Sequence, residues 1–307
     1  MIEKINQQMS MTDIGMLVVL SVFWGGSFFF VEVLINYLPP LTIVTLRVGL
    51  AAITLWGLVF VLKLKIPKTR QYWWALTIVG LFSNALPFCL IVWGQTQISS
   101  GLASIFNATT PFFTVIIAGI FLADERITQQ KLLGVIMGIF GTIILIGPES
   151  LRGLDGPVMG QLAVIGASIS YALSSVFSRR FKGWGLSPLI VATGQVSMAT
   201  VILLPITLII DKPWGQPAIP LVAIGAIIGL VIFSTVIAFI LFFRLIASAG
   251  ATNATLVTFL IPISAVLLGV TFLGETFSGL QFIGMILIGL GILVMDGRIF
   301  NSLLSKN

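Results

Sequence analysis

Histidine is absent from this sequence of 307 residues, and cysteine occurs once, as Cys89. Without histidine, the chain lacks the side chain that most often binds transition metals and transfers protons near neutral pH. A single cysteine excludes a disulfide within the chain and leaves no thiol pair for metal or redox chemistry. We therefore expect no metal site and no cofactor, and enzyme classes that depend on either are disfavoured.

Charged residues are also scarce. They make up 8% of the sequence and hydrophobic residues 58%, whereas soluble domains contain about 25% charged residues. Because so little polar surface cannot keep the chain in water, we predict a protein embedded in the lipid bilayer. The net charge of +6 does not indicate nucleic-acid binding, since the basic residues lie in short segments between apolar runs. Residues 1–12 lack a basic run, so we expect no cleavable signal peptide.

Ten apolar segments have about the 20 residues that a membrane-spanning helix needs. We predict helices throughout, because an isolated strand cannot satisfy its backbone groups in lipid. The predicted fold is all-α and polytopic, with spans at residues 13–35, 40–62, 73–94, 99–122, 130–147, 158–179, 188–210, 218–243, 250–272 and 280–297.

The two halves of the sequence repeat each other at a shift of about 150 residues, so that Glu125 corresponds to Glu275. We divide the chain into a first five-helix repeat, residues 1–148, and a second, residues 153–307. Because five is an odd number, the second repeat enters the membrane from the opposite side. The halves are thus predicted to form an inverted repeat, as in many carriers.

Basic residues collect on one side of the predicted membrane. If the N-terminus is cytoplasmic, the outer loops carry only Arg152 and Lys212, and the other lysines and arginines outside the spans lie on the inner side. Lysine and arginine favour cytoplasmic loops. We therefore expect both termini in the cytoplasm.

Four short motifs follow one another along the chain: Trp24-Gly25-Gly26-Ser27-Phe28, Pro40 with Arg47, Pro111 with Glu125, and Pro262 with Gly274-Glu275. In this order and spacing they resemble the EamA family, ten-helix carriers of the drug/metabolite transporter superfamily. The resemblance covers essentially the whole chain. It implies a bacterial inner-membrane carrier or exporter of small metabolites, not an enzyme, with a central cavity lined by helices one, three, four, six, eight and nine. One position departs from the family pattern, because many members have lysine where Glu32 stands.

Prolines interrupt three of the predicted spans. A proline inside a helix cannot donate a backbone hydrogen bond and frees the carbonyl four residues earlier. We expect helix breaks at Pro87, Pro111 and Pro262, and discontinuous helices line the binding sites of many carriers. The alternative is that neighbouring helices simply satisfy the freed carbonyls.

Aromatic and polar residues at mid-membrane depth are the candidates for a binding site. Aromatic walls with a few amides and hydroxyls suit a small neutral, zwitterionic or amphipathic molecule such as an amino acid. The alternative is that the hydroxyls only join helices and the aromatics only fill the core. The predicted substrate-binding residues are Trp24, Ser27, Asn84, Asn107, Tyr171, Ser175 and Thr258.

Glu32 and Arg47 are the two charges predicted to lie clearly within apolar spans. They flank the turn at Pro39-Pro40 at similar distances, so we predict that they form an ion pair between helices one and two. The favoured role is structural, because removing one partner of a buried pair strands the other. The alternative is functional, with Glu32 taking a proton and coupling transport to the proton gradient.

Closely spaced glycines occur in the fifth and tenth spans: Gly134, Gly138 and Gly141, and Gly284, Gly289 and Gly291. Glycines at such spacing let helix backbones touch. We predict that these two helices pack together as a scaffold within one chain, and a dimer interface is the alternative. The expected protein is a monomer whose partners are the lipid bilayer and a small-molecule substrate.

The favoured function is a secondary transporter that works by alternating access, with export as the direction that the resemblance suggests. The first alternative is a membrane sensor or scaffold that transports nothing. A membrane enzyme is less favoured, because we find no nucleophile with a nearby base at mid-membrane depth.

Topology reporters test the orientation. A reporter fused after residue 66 or at the C-terminus should give a cytoplasmic signal, and one fused after residue 153 an external signal, because lysine and arginine favour the cytoplasmic side. A cytoplasmic signal from residue 153 would contradict the inverted repeat.

Overall fold

The computed structural model describes residues 9–98, 100–146, 157–215, 218–273 and 278–296. Within these ranges every regular element is a helix, and seven helical stretches are long and apolar enough to cross a membrane. The predicted all-α, polytopic class is confirmed for this part of the chain.

The first half contains the following elements: α1 (Met11–Leu34), α2 (Pro40–Val61), α3 (Arg70–Gly80), a π-helical segment (Leu81–Ala85), α4 (Leu86–Gln95), α5 (Ser100–Asn107), α6 (Thr110–Phe121) and α7 (Gln129–Ile146). The helix starts follow local chemistry. Ser10 and Asp13 form a capping box at α1, and Pro40 lies in the first turn of α2, where its missing N–H costs nothing.

The second half repeats this layout: α8 (Val158–Ser178), a short α9 (Arg180–Gly183), α10 (Pro188–Ile210), a 3₁₀ turn (Pro213–Gly215), α11 (Leu221–Val231), a second π-helical segment (Ile232–Ile237), α12 (Ala238–Thr255), α13 (Val257–Leu273) and α14 (Gly279–Asp296). A π-helical segment therefore interrupts one long helix in each half, at nearly equivalent positions. Such segments are rare and often lie at functional sites.

The break that we predicted at Pro111 is a turn at Ala108 and Thr109, between α5 and α6. Pro111 lies in the first turn of α6. The carbonyl of Asn107 accepts a hydrogen bond from the Thr110 hydroxyl at 2.7 Å. The Thr110 side chain thus supplies a hydrogen bond to a carbonyl that the helix break leaves without a backbone partner.

Pro87 is the second residue after the first π-helical segment and lies in the first turn of α4. The helix is not broken here. It forms wider, π-helical turns instead. The backbone N–H of Leu86 accordingly donates to the carbonyl of Leu81, five residues earlier.

The prediction for Pro262 needs correction, because Pro262 lies inside α13 and the helix continues through it. The interruption is instead at Leu256, between α12 and α13. The helix after this interruption begins at Val257, so Pro262 falls beyond its first turn. In the first half, by contrast, Pro111 lies within the first turn.

Gly250 marks a second discontinuity. Its φ of 89° and ψ of 172° interrupt α12, and residues 251–255 continue in a new direction. A positive φ is accessible to glycine at little cost, which explains this residue at the bend. The bend leaves the N–H groups of Ala251 and Thr252 available to a partner from elsewhere.

Helices of the two halves pack against each other in pairs: α2 with α10, α4 with α8, α1 with α12 and α13, and α7 with α14. Hydrogen bonds reinforce these pairs, as between the hydroxyls of Thr45 and Thr207 at 2.6 Å. The halves are thus interleaved, and the space between them is lined by both.

The predicted contact between the glycine-bearing helices is present within the chain. A Cβ atom on Gly284 would lie 2.6 Å from the backbone nitrogen of Leu145, and one on Gly291 would lie 2.7 Å from the carbonyl oxygen of Gly134. Real Cβ atoms do not approach so closely, so these backbones touch only because the residues are glycines. By contrast, nothing lies within 4 Å of a Cβ placed on Gly289.

Alanine substitutions test this contact. Gly284→Ala should lower the free energy of unfolding by about 1–3 kcal/mol, because the added methyl group forces α7 and α14 apart. Gly289→Ala, on the same helix, is the matched control and should be neutral or slightly stabilising. Thermal unfolding of the purified variants in detergent measures both, and equal melting temperatures would contradict the close packing.

Candidate functional site

A cavity lies between the two halves and has about 710 Å³ of space not filled by atoms, including the part open to solvent. Its aromatic residues are Trp24, Phe28, Phe88, Tyr171, Phe239 and Phe242. Its polar residues are Ser27, Arg47, Ser83, Gln95, Asn107, Thr110, Ser175, Thr255 and Thr258. Its aliphatic residues are Val31, Ile91, Val92, Val257 and Ile261. Such a mixture is typical of small-molecule sites.

The aromatic residues form a connected wall. Trp24 packs against Phe242 with ring centroids 5.1 Å apart and meets Phe239 edge-on at 6.3 Å. Phe88 contacts both Tyr171 and Phe239 at 6.4 Å. Since each of these contacts fixes a ring against a neighbour from another helix, the wall is a rigid apolar surface.

Arg47 lies at the cavity and is 5% exposed. Its Nε donates to the hydroxyl of Thr235 at 2.9 Å, and its Nη2 donates to the carbonyl of Ser234 at 3.1 Å. Both acceptors belong to the second π-helical segment. The guanidinium carbon lies 3.7 Å from the centroid of the Phe88 ring, which is a cation–π contact.

The predicted ion pair between Glu32 and Arg47 is not formed. Glu32 is exposed, and the ion pairs among the described residues are those of Arg179 with Asp124 and Glu125. Glu32 lies two residues before the end of α1, whereas Arg47 lies seven residues after the start of α2. At about 1.5 Å per residue their depths differ, so equal spacing from the turn did not translate into equal depth. A proton-coupling role of Glu32 stays a prediction.

Six of the predicted substrate-binding residues line the cavity: Trp24, Ser27, Asn107, Tyr171, Ser175 and Thr258. Some of their polar groups are engaged within the protein. The Trp24 indole donates to the carbonyl of Ser234 at 3.2 Å, and the Ser175 hydroxyl donates to the carbonyl of Tyr171 at 2.7 Å. Thr258 likewise donates to the backbone of its own chain segment. The two hydroxyls keep acceptor lone pairs for a solute.

Asn84, the seventh predicted residue, is fully buried and is not part of the cavity lining, although its neighbour Ser83 is. Neither polar atom of its amide finds a hydrogen-bond partner among the described residues. The π-helical segment that carries Asn84 packs against α8 and α10. The amide therefore lies behind the wall of the cavity.

Gln95 and Asn107 belong to the cavity lining and carry fully buried amide atoms without a partner among the described residues. Both polar atoms of the Gln95 amide and Oδ1 of Asn107 make no hydrogen bond with the described residues. These side chains are 5% and 4% exposed. Burying an unpaired polar group is costly, so a solute that forms hydrogen bonds with these atoms would offset that cost.

Sequence reasoning did not single out two residues of the lining, Phe88 and Gln95. Phe88 lies within the predicted span 73–94, and Gln95 lies one residue beyond it. Sequence reasoning assigned Arg47 to an ion pair with Glu32. No acidic residue lies within one helical turn of Arg47 in the sequence, and this absence is a signal that the guanidinium has another role.

A buried ion cluster lies on one side of the cavity, where α6 and α8 end. Arg179 Nη2 lies 2.5 Å from Asp124 Oδ2, and Arg179 Nη1 lies 3.0 Å from Glu125 Oε1. Glu125 also accepts hydrogen bonds from the backbone N–H groups of Ala251 and Thr252, at 3.1 and 3.2 Å, and from the Thr252 hydroxyl.

This cluster joins three separate segments: the turn after α6, the end of α8 and the helix start that follows Gly250. Glu125 belongs to the first half and caps a helix start of the second half. Glu275, its predicted counterpart, lies outside the described residues.

The fold resembles that of a protein of known structure. One solved crystal structure has a TM-score of 0.74 with 19% sequence identity, and the match covers 96% of this chain and 99% of that one. At this identity the similarity concerns the fold alone, and it extends over both halves.

Several relatives are transporters by name. YoaV of Bacillus subtilis is 25% identical over 251 residues, which are 80% of this chain and 83% of that protein. The inner membrane transporter YedA of Escherichia coli strain K12 is 28% identical over 260 residues, or 83% and 81%. A Salmonella typhimurium protein named "Probable amino-acid metabolite efflux pump" is 32% identical over 173 residues, or 56% and 55%.

The sequence profile of the EamA-like transporter family matches residues 11–147 and again residues 158–295, so that the two matches together span most of the chain. The repeated helical layout, the cavity between the halves and these matches lead to one conclusion: the chain belongs to the EamA-like transporter family.

Proposed function

We propose that the protein is a secondary transporter that carries small neutral, zwitterionic or amphipathic metabolites, such as amino acids, by alternating access. The observation that carries this proposal is the cavity built by both halves, with helix interruptions beside it in each half. In the first half, Thr110 follows the break between α5 and α6 and lines the cavity. In the second half, Thr255 and Val257 flank the interruption at Leu256 and also line it. Interrupted helices at a central site are the arrangement expected of carriers.

The proposed topology has ten spans in two inverted repeats. Seven stretches are long and apolar enough to span, and Gln129–Leu145 and Phe282–Met295 are shorter apolar helices. The bend at Gly250 divides the longest stretch, Leu221–Thr255, and its final part continues with α13 as a separate span, the ninth along the chain. Five spans then lie in each half, with both termini in the cytoplasm.

In this topology the conformation faces outward. The cavity lining reaches Val31 near the end of α1 and Gln95 at the end of α4, and both helix ends are on the outer side. The cluster of Arg179, Asp124 and Glu125 is on the cytoplasmic side. We infer that this cluster is the closed inner gate, which must open when the carrier turns toward the cytoplasm.

Export is the proposed direction. Relatives in Escherichia coli and Salmonella typhimurium carry the printed name "Probable amino-acid metabolite efflux pump", at 29% and 32% identity over 60% and 56% of this chain. These names support amino-acid-like solutes and outward movement for the present chain.

Transport by the purified protein in liposomes tests the function. A panel of labelled amino acids and related metabolites should show saturable exchange of at least one solute, and protein-free liposomes should show none. Trp24→Ala should lower the transport rate at least about tenfold, because it removes the ring that packs against Phe239 and Phe242. Trp74→Ala is the matched control, since Trp74 is 67% exposed. Absence of flux for every solute, with intact folded protein, would favour the sensor or scaffold instead.

The inner gate can be tested by thiol labelling in a Cys89→Ser background. Ser175→Cys places a thiol at the cavity, one helical turn before Arg179. Arg179→Gln should speed labelling by a membrane-impermeant reagent from the cytoplasmic side, because removing one partner of a buried ion pair typically costs about 3–5 kcal/mol.

The matched control for the gate is Arg180→Gln. Arg180 is the next residue along the chain, is exposed and makes no ion pair among the described residues. It should leave the labelling rate unchanged. Equal rates in the two variants, both monodisperse, would show that the cluster is not a gate.

A further inference from the structure

Resting on the proposed transport function, we propose that Arg47 binds the carboxylate of the transported solute, so that the substrates are small monocarboxylates with an apolar or aromatic remainder, and zwitterionic amino acids above all. The assignment comes from the surroundings of one guanidinium group, which are incomplete without a ligand.

The first argument is the missing counter-charge. Arg47 is 5% exposed, and no carboxylate lies within ion-pair distance of it among the residues that the structure describes. By comparison, the buried Arg179 has two carboxylate partners. A buried charge normally requires a partner of opposite sign, and an unpaired charge inside a membrane protein is typical of a substrate pathway.

The second argument is the free donor. The protein holds the guanidinium by Nε, through Thr235, and by Nη2, through Ser234. The remaining nitrogen, Nη1, makes no hydrogen bond with the described residues and is not among the fully buried atoms that lack a partner. It therefore faces the cavity. A planar guanidinium binds a carboxylate through two parallel N–H groups, here one N–H of Nη1 and the second N–H of Nη2. Because the guanidinium is held in a fixed orientation, little entropy is lost on binding.

The third argument concerns the rest of the solute. Asn107 Oδ1 and Gln95 Oε1 are acceptors without a partner at the same cavity, and an ammonium group donates three hydrogen bonds and accepts none. The aromatic wall of Trp24, Phe239 and Phe242 offers an apolar surface for a side chain. A donor for an anion, unpaired acceptors for a cation and an apolar wall are the three kinds of group that a zwitterionic amino acid requires.

Four probes with one aromatic ring separate these contributions: L-phenylalanine, 3-phenylpropionate, L-phenylalaninamide and phenethylamine. The first two have a carboxylate and the last two do not. Binding to the purified full-length protein is measured by the quenching of tryptophan fluorescence, and transport by exchange in liposomes. We expect the wild type to bind L-phenylalanine and 3-phenylpropionate about ten- to hundredfold more tightly than L-phenylalaninamide and phenethylamine. This ratio corresponds to the usual free energy of a hydrogen bond to a charged group.

Arg47→Gln should abolish this preference by weakening the carboxylates and leaving the affinity for phenethylamine nearly unchanged. Arg47→Lys keeps the charge without the fork and should retain an intermediate preference, which guards against a folding defect in the first variant. Arg244→Gln is the control, because Arg244 is an exposed residue that does not line the cavity.

The outcomes are distinct. If the wild type transports the amide and the amine as well as the acids, or if Arg47→Gln keeps the preference for carboxylates, the inference is overturned and the transport function stands. If the wild type neither binds nor moves any of the probes, both fail for this class of solute. Repeating the titrations with chloride replaced by isethionate adds a third arm. If chloride competes with 3-phenylpropionate and Arg47→Gln removes only the chloride effect, the site holds an inorganic anion and the inference is overturned.

Discussion

The carbonyl oxygen of Ser234 accepts a hydrogen bond from the indole of Trp24 and another from the guanidinium of Arg47. These three residues belong to α1, to α2 and to the π-helical segment of the second half, so one backbone group connects both halves at the wall of the cavity. The Ser234 hydroxyl adds a bond to the carbonyl of Phe23 at 2.6 Å. Polar groups at this depth have no water to replace such partners, so the arrangement of the two halves depends on these bonds.

Much of the architecture could be predicted because lipid imposes few choices. Apolar segments of sufficient length must be helices, and the repeat of Glu125 and of the glycines predicted two related halves with α7 against α14. The aromatic and amide residues at mid-membrane depth were also informative, since Trp24, Asn107 and Tyr171 all line the cavity. For residues near the middle of a span, sequence position is enough to indicate mid-membrane depth, and this is why those residues were found.

What sequence could not supply was the rotation of each helix and the exact place where a helix starts. Asn84 and Ser83 are adjacent, yet only Ser83 reaches the cavity, because a π-helical segment changes which face is presented. Glu32 and Arg47 seemed equally deep until the ends of α1 and α2 were known. Pro262 lies beyond the first turn of α13, whereas Pro111 lies in that of α6. In each case a shift of a few residues in the helix boundary, or in the face that a helix presents, changes the result. Such shifts cannot be read from composition.

The glycine contact between α7 and α14 has a consequence for how the protein is made. During synthesis α7 enters the membrane near the midpoint of translation, but the helix that covers its glycine face is the last element of the described chain. Until α14 arrives, that face is in contact with lipid or with a wrong partner. The first half is therefore an assembly intermediate whose glycine face stays uncovered until the last described helix has been inserted.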